Sequence, residues 1–561
     1  MKILIVGGVA GGASVAARLR RLDHEAQIIV FERGEHPSFS NCCLPYFLSR
    51  QVPESERLIL MTPEIFDKRY GIEVRVRQEV TGIDRAGKIV RVKNLNTGES
   101  YEETYDKLVL SPGAAPIMPA SIAGIDAEHV FGIRNVTDIR ALDEYVSRPE
   151  VRHIAVVGGG FIGIEAAENL IEAGKEVTLI EAADQILAPF DADMVQLLHK
   201  TLDDNGVHLI LNDGVDAIED KKIILASGTE VAADAVVMAI GVRPETGLAE
   251  AAGLPIGETG AIRVDHNYRT ADPFIYAVGD AVELHHAITG QPTRLALAGP
   301  AQKQARAVAD HICGRPVEQP GVIGSSAIRV FGMNAAATGL NERAAQKAGL
   351  RYDYALTVAQ DKVGLMPGAA QMFLKLIFEV PTGRILGAQA IGPGAVDKRI
   401  DVIATSIHFK ASLAEMKELE LCYSPVFSTA KDVVNHAVLI GLNLLRDEYR
   451  QVPASTAREA VESGACIIDV REPGEFKRVH LKGAVNIPMS TYRERLDEFP
   501  KDRPVYIHCG SGVRSYNVYR RLAAAGYEHV RDIKGSMSFL RLYEAWRTKH
   551  CGLPSIFEMS K

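Results

Sequence analysis

Two adjacent cysteines, Cys42 and Cys43, stand just ahead of Pro45 within residues 38–46. Proline is favoured in the first turn of a helix, so the sequence predicts a helix that begins directly behind the thiols. A thiol near the positive end of a helix is expected to have a lowered pKa and to attack as the thiolate. Two small buried residues in a turn are the other interpretation, and the rest of the chain has to decide between them.

A third cysteine, Cys509, follows a predicted strand at 505–508 and opens the loop 510–514, with a helix predicted over 515–525. Backbone N–H groups at such a turn bind an anion, or stabilise a thiolate and the persulfide formed on it. Arg514 adds a fixed positive charge. A loop with one more residue between cysteine and arginine would suit phosphate. The loop therefore predicts a sulfur-carrying cysteine, with an inert cysteine and a phosphatase as the alternatives.

The N-terminal residues follow a pattern of strand, glycine-rich turn and helix. An apolar strand precedes the turn 7–12, and a helical pattern runs to about Leu22. A second strand, 27–31, leads to Glu32, which is placed as a ribose-binding acid in a dinucleotide fingerprint. Val9 stands where the fingerprint has its middle glycine. The predicted contacts of this site are Gly7, Val9, Gly12, Glu32 and Arg33.

A second fingerprint follows the predicted strand 154–157 and is complete. Its glycines are Gly158, Gly160 and Gly163. A helix is predicted over 164–172, and the next strand, 176–180, leads to Glu181. A carboxylate there suits the paired ribose hydroxyls of NADH and repels the 2′-phosphate of NADPH. We predict an NADH site with NADPH as the alternative; Glu165 either faces the flavin or nicotinamide or is a first-turn partner of the helix dipole.

Three further segments lie between and behind these sites. Residues 105–114 and 239–244 resemble links between an FAD and an NAD domain, and residues 276–280 resemble the second FAD motif. With them, residues 1–445 resemble the pyridine nucleotide-disulfide oxidoreductase superfamily. The pattern at 38–46 is similar to its single-cysteine branch, which comprises coenzyme A-disulfide reductases, NADH oxidases and NADH-dependent persulfide reductases.

This resemblance implies roles for individual residues. Cys42 is the implied active cysteine, with Asn41 and Ser38 beside it. Cys43 stands where a small residue is usual; it is either a substitute for that residue or a resolving thiol. Further implied flavin contacts are Ser111, Asp280, Gly241, and Ala298 in the helix start 297–304. The resemblance also implies a homodimer in which Tyr423 and Lys431 of the partner subunit complete each active site.

One departure from the family affects the substrate. Coenzyme A-disulfide reductases have a tyrosine before a Pro-Gly pair near the active thiol, whereas Leu365 and Met366 precede Pro367 here. The resemblance therefore favours a reductase of sulfur species over coenzyme A disulfide as the particular substrate. Arg18, Arg20 and Arg21 are candidates for the phosphates of coenzyme A, and a solvated helix face is an alternative at least as good.

The C-terminal residues resemble a single-domain rhodanese with Cys509 as the sulfur carrier. The expected fold class is α/β: FAD and NAD dinucleotide-binding domains of three layers, an α+β dimerisation domain and a C-terminal α/β rhodanese-like domain. The predicted boundaries are 1–115 and 250–325 for FAD, 116–249 for NAD, 326–445 for dimerisation, 446–456 for a linker and 457–550 for the rhodanese-like domain.

Composition excludes several other classes. A length of 561 residues allows about three or four domains, and a net charge of −8 gives no reason to expect nucleic acid or an anionic membrane as partner. Seven scattered cysteines, without a Cys-x2-Cys pair, fit neither a disulfide framework nor zinc, so no metal is predicted. The N-terminus resembles neither a signal peptide nor a membrane span, and we expect a reducing cytoplasm.

These observations predict an FAD-dependent, NADH-oxidising reductase of persulfides or polysulfides, with coenzyme A as substrate or bound carrier. The rhodanese-like domain would supply sulfane sulfur, and the reductase would release sulfide. A coenzyme A-disulfide reductase or NADH oxidase with an accessory rhodanese domain is one alternative. A thiol-based redox sensor is the other.

Overall fold

The computed structural model describes residues 1–317 and 320–559. The chain divides into two compact units, the first made of residues 1–184 and 210–322 and the second of residues 185–209 and those from 323 onwards. Across the described residues, no helix has the length and apolar character needed to cross a membrane.

The first unit contains a parallel sheet with Lys2–Val6 at its centre. The three middle residues of this strand are fully buried, as expected for a strand covered on both faces. The helix Ala10–Leu22 follows and turns one apolar side into the same core. In spatial order the strands are Ile275–Ala277, Lys107–Leu110, Lys2–Val6, Gln27–Glu32 and Glu73–Val76.

A second parallel sheet repeats this plan around His153–Val157. In spatial order it contains Glu176–Glu181, His153–Val157, Ala235–Met238 and Val130–Gly132. The following helix, Phe161–Glu172, begins earlier than the predicted residue 164, because Gly160 caps it in an extended conformation directly behind the turn. Both strand, turn and helix units predicted from the glycine patterns are therefore present.

The remaining elements of the first unit are shorter. Its other helices are Pro45–Leu48, Pro63–Tyr70, Val136–Val146, Gly247–Ala251 and Ala298–Ile312, with 3-10 turns at Asn41–Cys43, Ser55–Leu58 and Gly279–Ala281. Small antiparallel sheets comprise Gln78–Asp84, Ile89–Asn94 and Ser100–Thr104; Val215–Glu219, Lys222–Leu225 and Glu230–Ala232; Ala114–Pro116 and Val242–Pro244; and Leu284–His285 and Pro292–Thr293. The strand Val207–Leu211 lies where the chain returns to this unit.

The second unit begins with an antiparallel sheet and helices, an α+β arrangement. In spatial order the strands are Ser326–Val330, Met333–Gly339, Ile385–Gly392, Gln371–Glu379 and Tyr352–Gln360. The helices are Ala192–Asp204, Glu342–Lys347, Val396–His408, Leu413–Met416 and Val433–Leu445. A buried ion cluster joins helix and sheet residues: the Lys375 ammonium bonds to Asp191, Asp193 and Glu342 at 3.1, 2.8 and 2.5 Å. No sequence pattern indicated this cluster.

The C-terminal part of the second unit is a parallel sheet flanked by helices. In spatial order its strands are Gln451–Val452, Val530–Ile533, Val505–His508, Cys466–Asp469 and Val485–Asn486. The helices are Thr456–Glu462, Pro473–Arg478, Val513–Ala524 and Ser536–His550, with 3-10 turns at Tyr492–Glu494 and Leu496–Glu498 and a strand pair of His480–Leu481 and Phe557–Glu558. The predicted α/β class is confirmed.

Candidate active sites

The first glycine turn requires glycine at both ends. Gly7 has a φ of +95°, and an added Cβ would lie 2.0 Å from the carbonyl oxygen of Ser111. An added Cβ on Gly12 would lie 1.8 Å from the carbonyl oxygen of Gly7, so the helix packs on the strand only without side chains there. The N–H of Gly8 donates to Glu32 Oε2 at 2.8 Å. The turn therefore fixes the carboxylate that was predicted to bind a ribose.

A cavity of about 1230 Å³ opens beside this turn. It is lined by six of the predicted cofactor contacts, namely Gly7, Val9, Glu32, Arg33, Ser111 and Asp280. Asn41, next to Cys42, lines it as well, whereas Gly12, Gly241 and Ala298 lie outside the lining. Small-ligand pockets usually measure about 300–1,000 Å³, so this cavity has room for a whole dinucleotide.

A buried amide next to the cavity-lining residue Gly279 lacks one partner among the residues that the structure describes. Gly279 donates its N–H to Gln304 Oε1 at 2.6 Å, while Gln304 Nε2 is buried without a hydrogen bond. Desolvation raises the pKa of Asp280 above its ordinary value. Buried polar groups are normally paired, so these residues fit a polar ligand such as FAD.

Two cavity residues were not singled out in the sequence. Glu245 bonds to Arg33 at 2.5 Å and also to Arg134. The three residues come from segments far apart in the chain, so no local pattern signals the contact. They form a charged rim on a cavity that would receive the phosphates of a dinucleotide.

The second glycine turn has the same construction. Gly158 has a φ of +111°, and an added Cβ would lie 2.4 Å from the carbonyl oxygen of Ala239. Around a Cβ on Gly160, in contrast, no atom of the part of the chain that the structure describes lies within 4 Å. Glu181 accepts hydrogen bonds from the N–H groups of Gly159 and Ala183 at 2.7 and 2.8 Å. The open side at Gly160 and the fixed carboxylate suit a nicotinamide dinucleotide with a free ribose 2′-hydroxyl.

Backbone bonds hold the cysteine segment against the first glycine turn. Ser38 has a φ of +50° and donates its N–H to the carbonyl of Gly8 at 2.9 Å. Cys42 lies in the 3-10 turn Asn41–Cys43, is exposed to solvent, and donates its S–H to Asn41 Oδ1 at 3.7 Å. The thiol thus stands beside the residue that lines the cavity.

The predicted lowering of the Cys42 pKa is wrong. Partial desolvation raises the pKa of Cys42, and the charges of Glu165, Cys43 and Asp280 add to the shift. Pro45 does begin a helix, but that helix ends at Leu48 after one turn. So short a helix has too small a dipole to offset neighbouring carboxylates.

Glu165 emerges as the ionisable partner of this thiol. It is the fifth residue of its helix, so the interpretation as a first-turn dipole partner is wrong. It is half-buried, Tyr46 donates its hydroxyl to Oε1 at 3.5 Å, and desolvation raises the pKa of Glu165 to about 7. A carboxyl with such a pKa can accept or return a proton near neutral pH.

Arg18 and Arg21 on the first helix differ in whether another side chain of the protein binds them. Arg18 bonds to Asp310 Oδ1 through Nε and Nη2 at 3.0 and 2.6 Å. Arg21 is exposed. The ion pair on Arg18 competes with a phosphate, so Arg21 is the more available of the two candidates.

The segment around Tyr423 exposes apolar and aromatic surface. Tyr423 and Phe427 are 51% and 70% exposed, and Lys431 is exposed too. A buried ion pair between Arg399 and Asp432, at 2.9 Å, anchors the end of the segment. Exposed aromatic groups on an anchored segment suit contact with another chain.

Cys509 lies at the carboxyl end of its strand and is only 1% exposed. The N–H of Gly512, whose φ is +102°, donates to Cys509 Sγ at 3.1 Å. Arg514 is bound by both oxygens of Glu475 at 2.5 and 2.8 Å, and this pairing lowers the pKa of Glu475 to about 2. Arg514 is therefore neutralised by Glu475 beside the Cys509 loop, and the sequence did not indicate this ion pair.

Comparison with protein families divides the chain into three matched parts. Residues 1–305 match the pyridine nucleotide-disulphide oxidoreductase family, residues 325–433 match the dimerisation domain of these enzymes, and residues 453–540 match the rhodanese-like domain.

Individual relatives resemble most of the chain. A coenzyme A disulfide reductase of Staphylococcus aureus (strain JH9) is 34% identical over 437 residues, which make up 77% of this chain and 98% of that protein. The reduced CoADR-RHD of Bacillus anthracis is 42% identical with a TM-score of 0.94, over 97% of this chain and 98% of that chain. A NAD-dependent persulfide reductase from A. fulgidus is 35% identical with a TM-score of 0.91, over 96% and 100%.

Proposed function

Since the chain belongs to the family of pyridine nucleotide-disulphide oxidoreductases and carries a rhodanese-like domain, we propose that it oxidises NADH and reduces persulfides or polysulfides to sulfide. The presence of two cysteine sites on one chain carries this proposal. Cys42 stands beside the cavity that Asn41 lines, and Cys509 stands in a loop whose Gly512 N–H donates to its sulfur.

The family uses FAD and a nicotinamide dinucleotide, and two sets of residues fit them. Gly7, Val9, Glu32, Arg33, Ser111 and Asp280 would hold FAD, with Gly12 closing the turn and Gly241 and Ala298 as outer contacts. Gly158, Gly160, Gly163 and Glu181 would hold NADH, and the Glu181 charge disfavours NADPH. Bound FAD supplies the two-electron chemistry that connects NADH with the Cys42 sulfur.

The proposed reaction takes place at Cys42. Its thiolate attacks the inner sulfur of coenzyme A persulfide, a Cys42–coenzyme A disulfide forms, and hydrosulfide leaves with the electron pair of the broken S–S bond. Two electrons from NADH then release coenzyme A and restore the Cys42 thiolate. Glu165 holds the thiol proton, and Asn41 and Ser38 position the segment. Covalent relay divides the reduction into easier steps.

Rhodanese chemistry supplies the substrate in this proposal. Cys509, flanked by Arg514, takes a sulfane sulfur from a donor and passes it to a low-molecular-weight thiol, with coenzyme A as the thiol and Arg21 and Arg18 as contacts for its phosphates. The substrate preference also draws on Leu365 and Met366, which offer no hydroxyl ahead of Pro367, where a coenzyme A-disulfide reductase has its tyrosine; Leu365 is 88% exposed.

The proposed assembly is a homodimer. The matched dimerisation domain supports it, as do the exposed Tyr423 and Phe427. Tyr423 and Lys431 of the partner subunit would complete the site around Cys42. Cys43 is proposed as a substitute for a small residue, and unchanged turnover in Cys43→Ala would support that assignment over a resolving thiol.

Anaerobic NADH oxidation tests the proposal directly. Coenzyme A persulfide, polysulfide and coenzyme A disulfide are compared as acceptors, and sulfide is measured. We expect stoichiometric sulfide from the first two and its loss in Cys42→Ser. Equal polysulfide reduction by wild type and Cys42→Ser would overturn the mechanism. Fastest turnover with coenzyme A disulfide would favour a disulfide reductase, oxygen-dependent NADH consumption an oxidase, and slow turnover with every acceptor a redox sensor.

A further inference from the structure

A buried carboxyl group lies behind the Cys509 loop. Ser515 donates its hydroxyl to Asp532 Oδ2 at 2.7 Å and its oxygen lies 3.5 Å from Cys509 Sγ. The Tyr449 hydroxyl donates to the same Asp532 oxygen. All four side chains are at most 3% exposed. A continuous line therefore runs from the sulfur through one hydroxyl to the carboxyl group.

The carboxyl group is not needed for packing alone. Among the described residues, Asp532 Oδ1 has no hydrogen-bond partner although it is buried, and a buried carboxylate without a cation is costly. An asparagine would accept the same bonds from Tyr449 and Ser515 without that cost. Burial also raises the pKa of Asp532 to about 7, so the group can exchange a proton near neutral pH.

The other groups around the sulfur donate hydrogen bonds or carry positive charge. The Gly512 N–H and the Ser536 hydroxyl approach Cys509 Sγ at 3.1 and 4.0 Å, and Arg514 is paired with Glu475. At the end of the strand that leads into Cys509, burial lowers the pKa of His508, whose ring Nε2 lies 3.7 Å from Asp469 on the neighbouring strand. The Gly512 N–H and the Ser536 hydroxyl stabilise a thiolate, whereas the carboxyl group linked to the sulfur through one hydroxyl is that of Asp532.

We propose that Ser515 and Asp532 form a proton relay for Cys509. This inference rests on the proposed role of Cys509 as a sulfur carrier. The thiol proton passes to Ser515 Oγ while the Ser515 hydroxyl proton passes to Asp532 Oδ2. The products are a Cys509 thiolate and a neutral carboxylic acid.

The relay takes up the Cys509 proton before the two sulfur transfers and returns it after them. In the first, the Cys509 thiolate attacks the outer sulfur of R–S–SH; the new S–S bond forms on Cys509, and R–S⁻ leaves with the electron pair of the broken bond. In the second, an acceptor thiolate R′–S⁻ takes the same sulfur as R′–S–SH, and Cys509 leaves as thiolate. Asp532 then returns its proton through Ser515. No oxidant or reductant is consumed.

The test uses full-length protein with three readouts. Asp532→Asn keeps the shape but removes the proton acceptor, and Ser515→Ala removes the path. Alkylation of Cys509 by iodoacetamide is followed by peptide mass spectrometry from pH 5 to 10, with Cys466 in the same domain as a folding control. Single-turnover loading of Cys509 by glutathione persulfide gives the transfer rate. Thermal unfolding reports stability.

The relay predicts a distinct result for each variant. Wild-type alkylation rises in two steps, because the thiol and the Asp532 carboxyl share the first proton lost. Asp532→Asn shows a single step and at least tenfold slower loading, in the range of general acid–base effects. Ser515→Ala keeps both steps, because the thiol and the carboxyl group are both still present; the lost hydrogen bond raises the Asp532 pKa, and loading is at least tenfold slower because the path is removed.

Other outcomes overturn the relay. A single step in wild type, or Asp532→Asn loading at the wild-type rate, would contradict it, and the wild-type profile decides even if a variant fails to fold. If wild-type Cys509 accepts no sulfur from glutathione persulfide, polysulfide or thiosulfate, the proposed sulfur-carrier function is wrong. The alkylation profiles still show in that case whether the Cys509 thiol and the Asp532 carboxyl group exchange a proton.

Discussion

Charge around Cys42 works against its thiolate. Partial desolvation, and after it the charges of Glu165 and Asp280, raise the pKa of Cys42, so the polypeptide keeps the thiol protonated at a pH where many catalytic cysteines are ionised. The proposed transfer of the Cys42 proton to Glu165 would permit nucleophilic attack in spite of the raised pKa. Their titrations then belong to the pair and not to either group alone.

Glu165→Gln separates the two roles of this carboxylate. The Glu165 pKa is about 7, so above that pH its charge raises the Cys42 pKa, and removing the charge should shift Cys42 alkylation to lower pH. Turnover should nevertheless fall at least tenfold because the proton acceptor is lost. Glu172→Gln, at the exposed end of the same helix, is the control for both measurements. An unshifted alkylation profile in Glu165→Gln would refute the coupling.

Glu475 determines how much positive charge Arg514 offers to a donor. Because the pKa of Glu475 is about 2, the pair stays intact throughout the working pH range. Glu475→Gln should free the guanidinium and raise kcat/KM for the dianion thiosulfate several-fold relative to a persulfide. Glu498→Gln breaks a comparable pair with Arg495, at 2.6 Å on the surface of the same domain, and should leave the ratio unchanged. A loss of thiosulfate activity in Glu475→Gln would assign the pair a purely structural role.

At the scale of elements, sequence patterns predicted the structure correctly where the interactions join residues close together in the chain. Glycine turns between apolar strands and helices have a fixed spacing, and both dinucleotide units were predicted from it. The raised pKa of Cys42 was not predicted, because its causes are desolvation in the folded chain and the charge of Glu165, which belongs to another element. The contact between Tyr449 and Asp532 joins residues 83 positions apart, and neither has a neighbour in sequence that signals it. Long-range charge contacts arise only when the sheets assemble.

The two glycines of the NAD turn should respond differently to alanine. A Cβ on Gly163 would lie 1.9 Å from the carbonyl oxygen of Gly158, so Gly163→Ala should push the helix off the strand and lower the Tm by several degrees. Gly160→Ala meets open space in the polypeptide; it should fold normally and raise the KM for NADH at least tenfold, because the backbone no longer approaches the pyrophosphate. Calorimetry and NADH titration check the pair. Equal KM values in wild type and Gly160→Ala would remove the NAD assignment.

At the scale of the whole molecule, two cysteine sites on one chain raise the question of how sulfur passes between them. A coenzyme A carrier requires only that each site recognises the same small thiol. Direct transfer requires instead that Cys509, which is 1% exposed, meets Cys42. The carrier route therefore makes fewer structural demands on a buried sulfur.

Complementation between two inactive variants distinguishes these routes. Cys42→Ser should still load sulfur on Cys509 but release no sulfide with NADH, whereas Cys509→Ala should still reduce preformed coenzyme A persulfide. With thiosulfate or glutathione persulfide as donor, neither variant alone should reach the wild-type rate of sulfide release. A mixture of the separately purified variants should recover sulfide release when free coenzyme A is added and not without it, because the carrier diffuses between molecules. Wild-type sulfide release without coenzyme A, together with a mixture that coenzyme A fails to restore, would show that sulfur passes directly within one assembly.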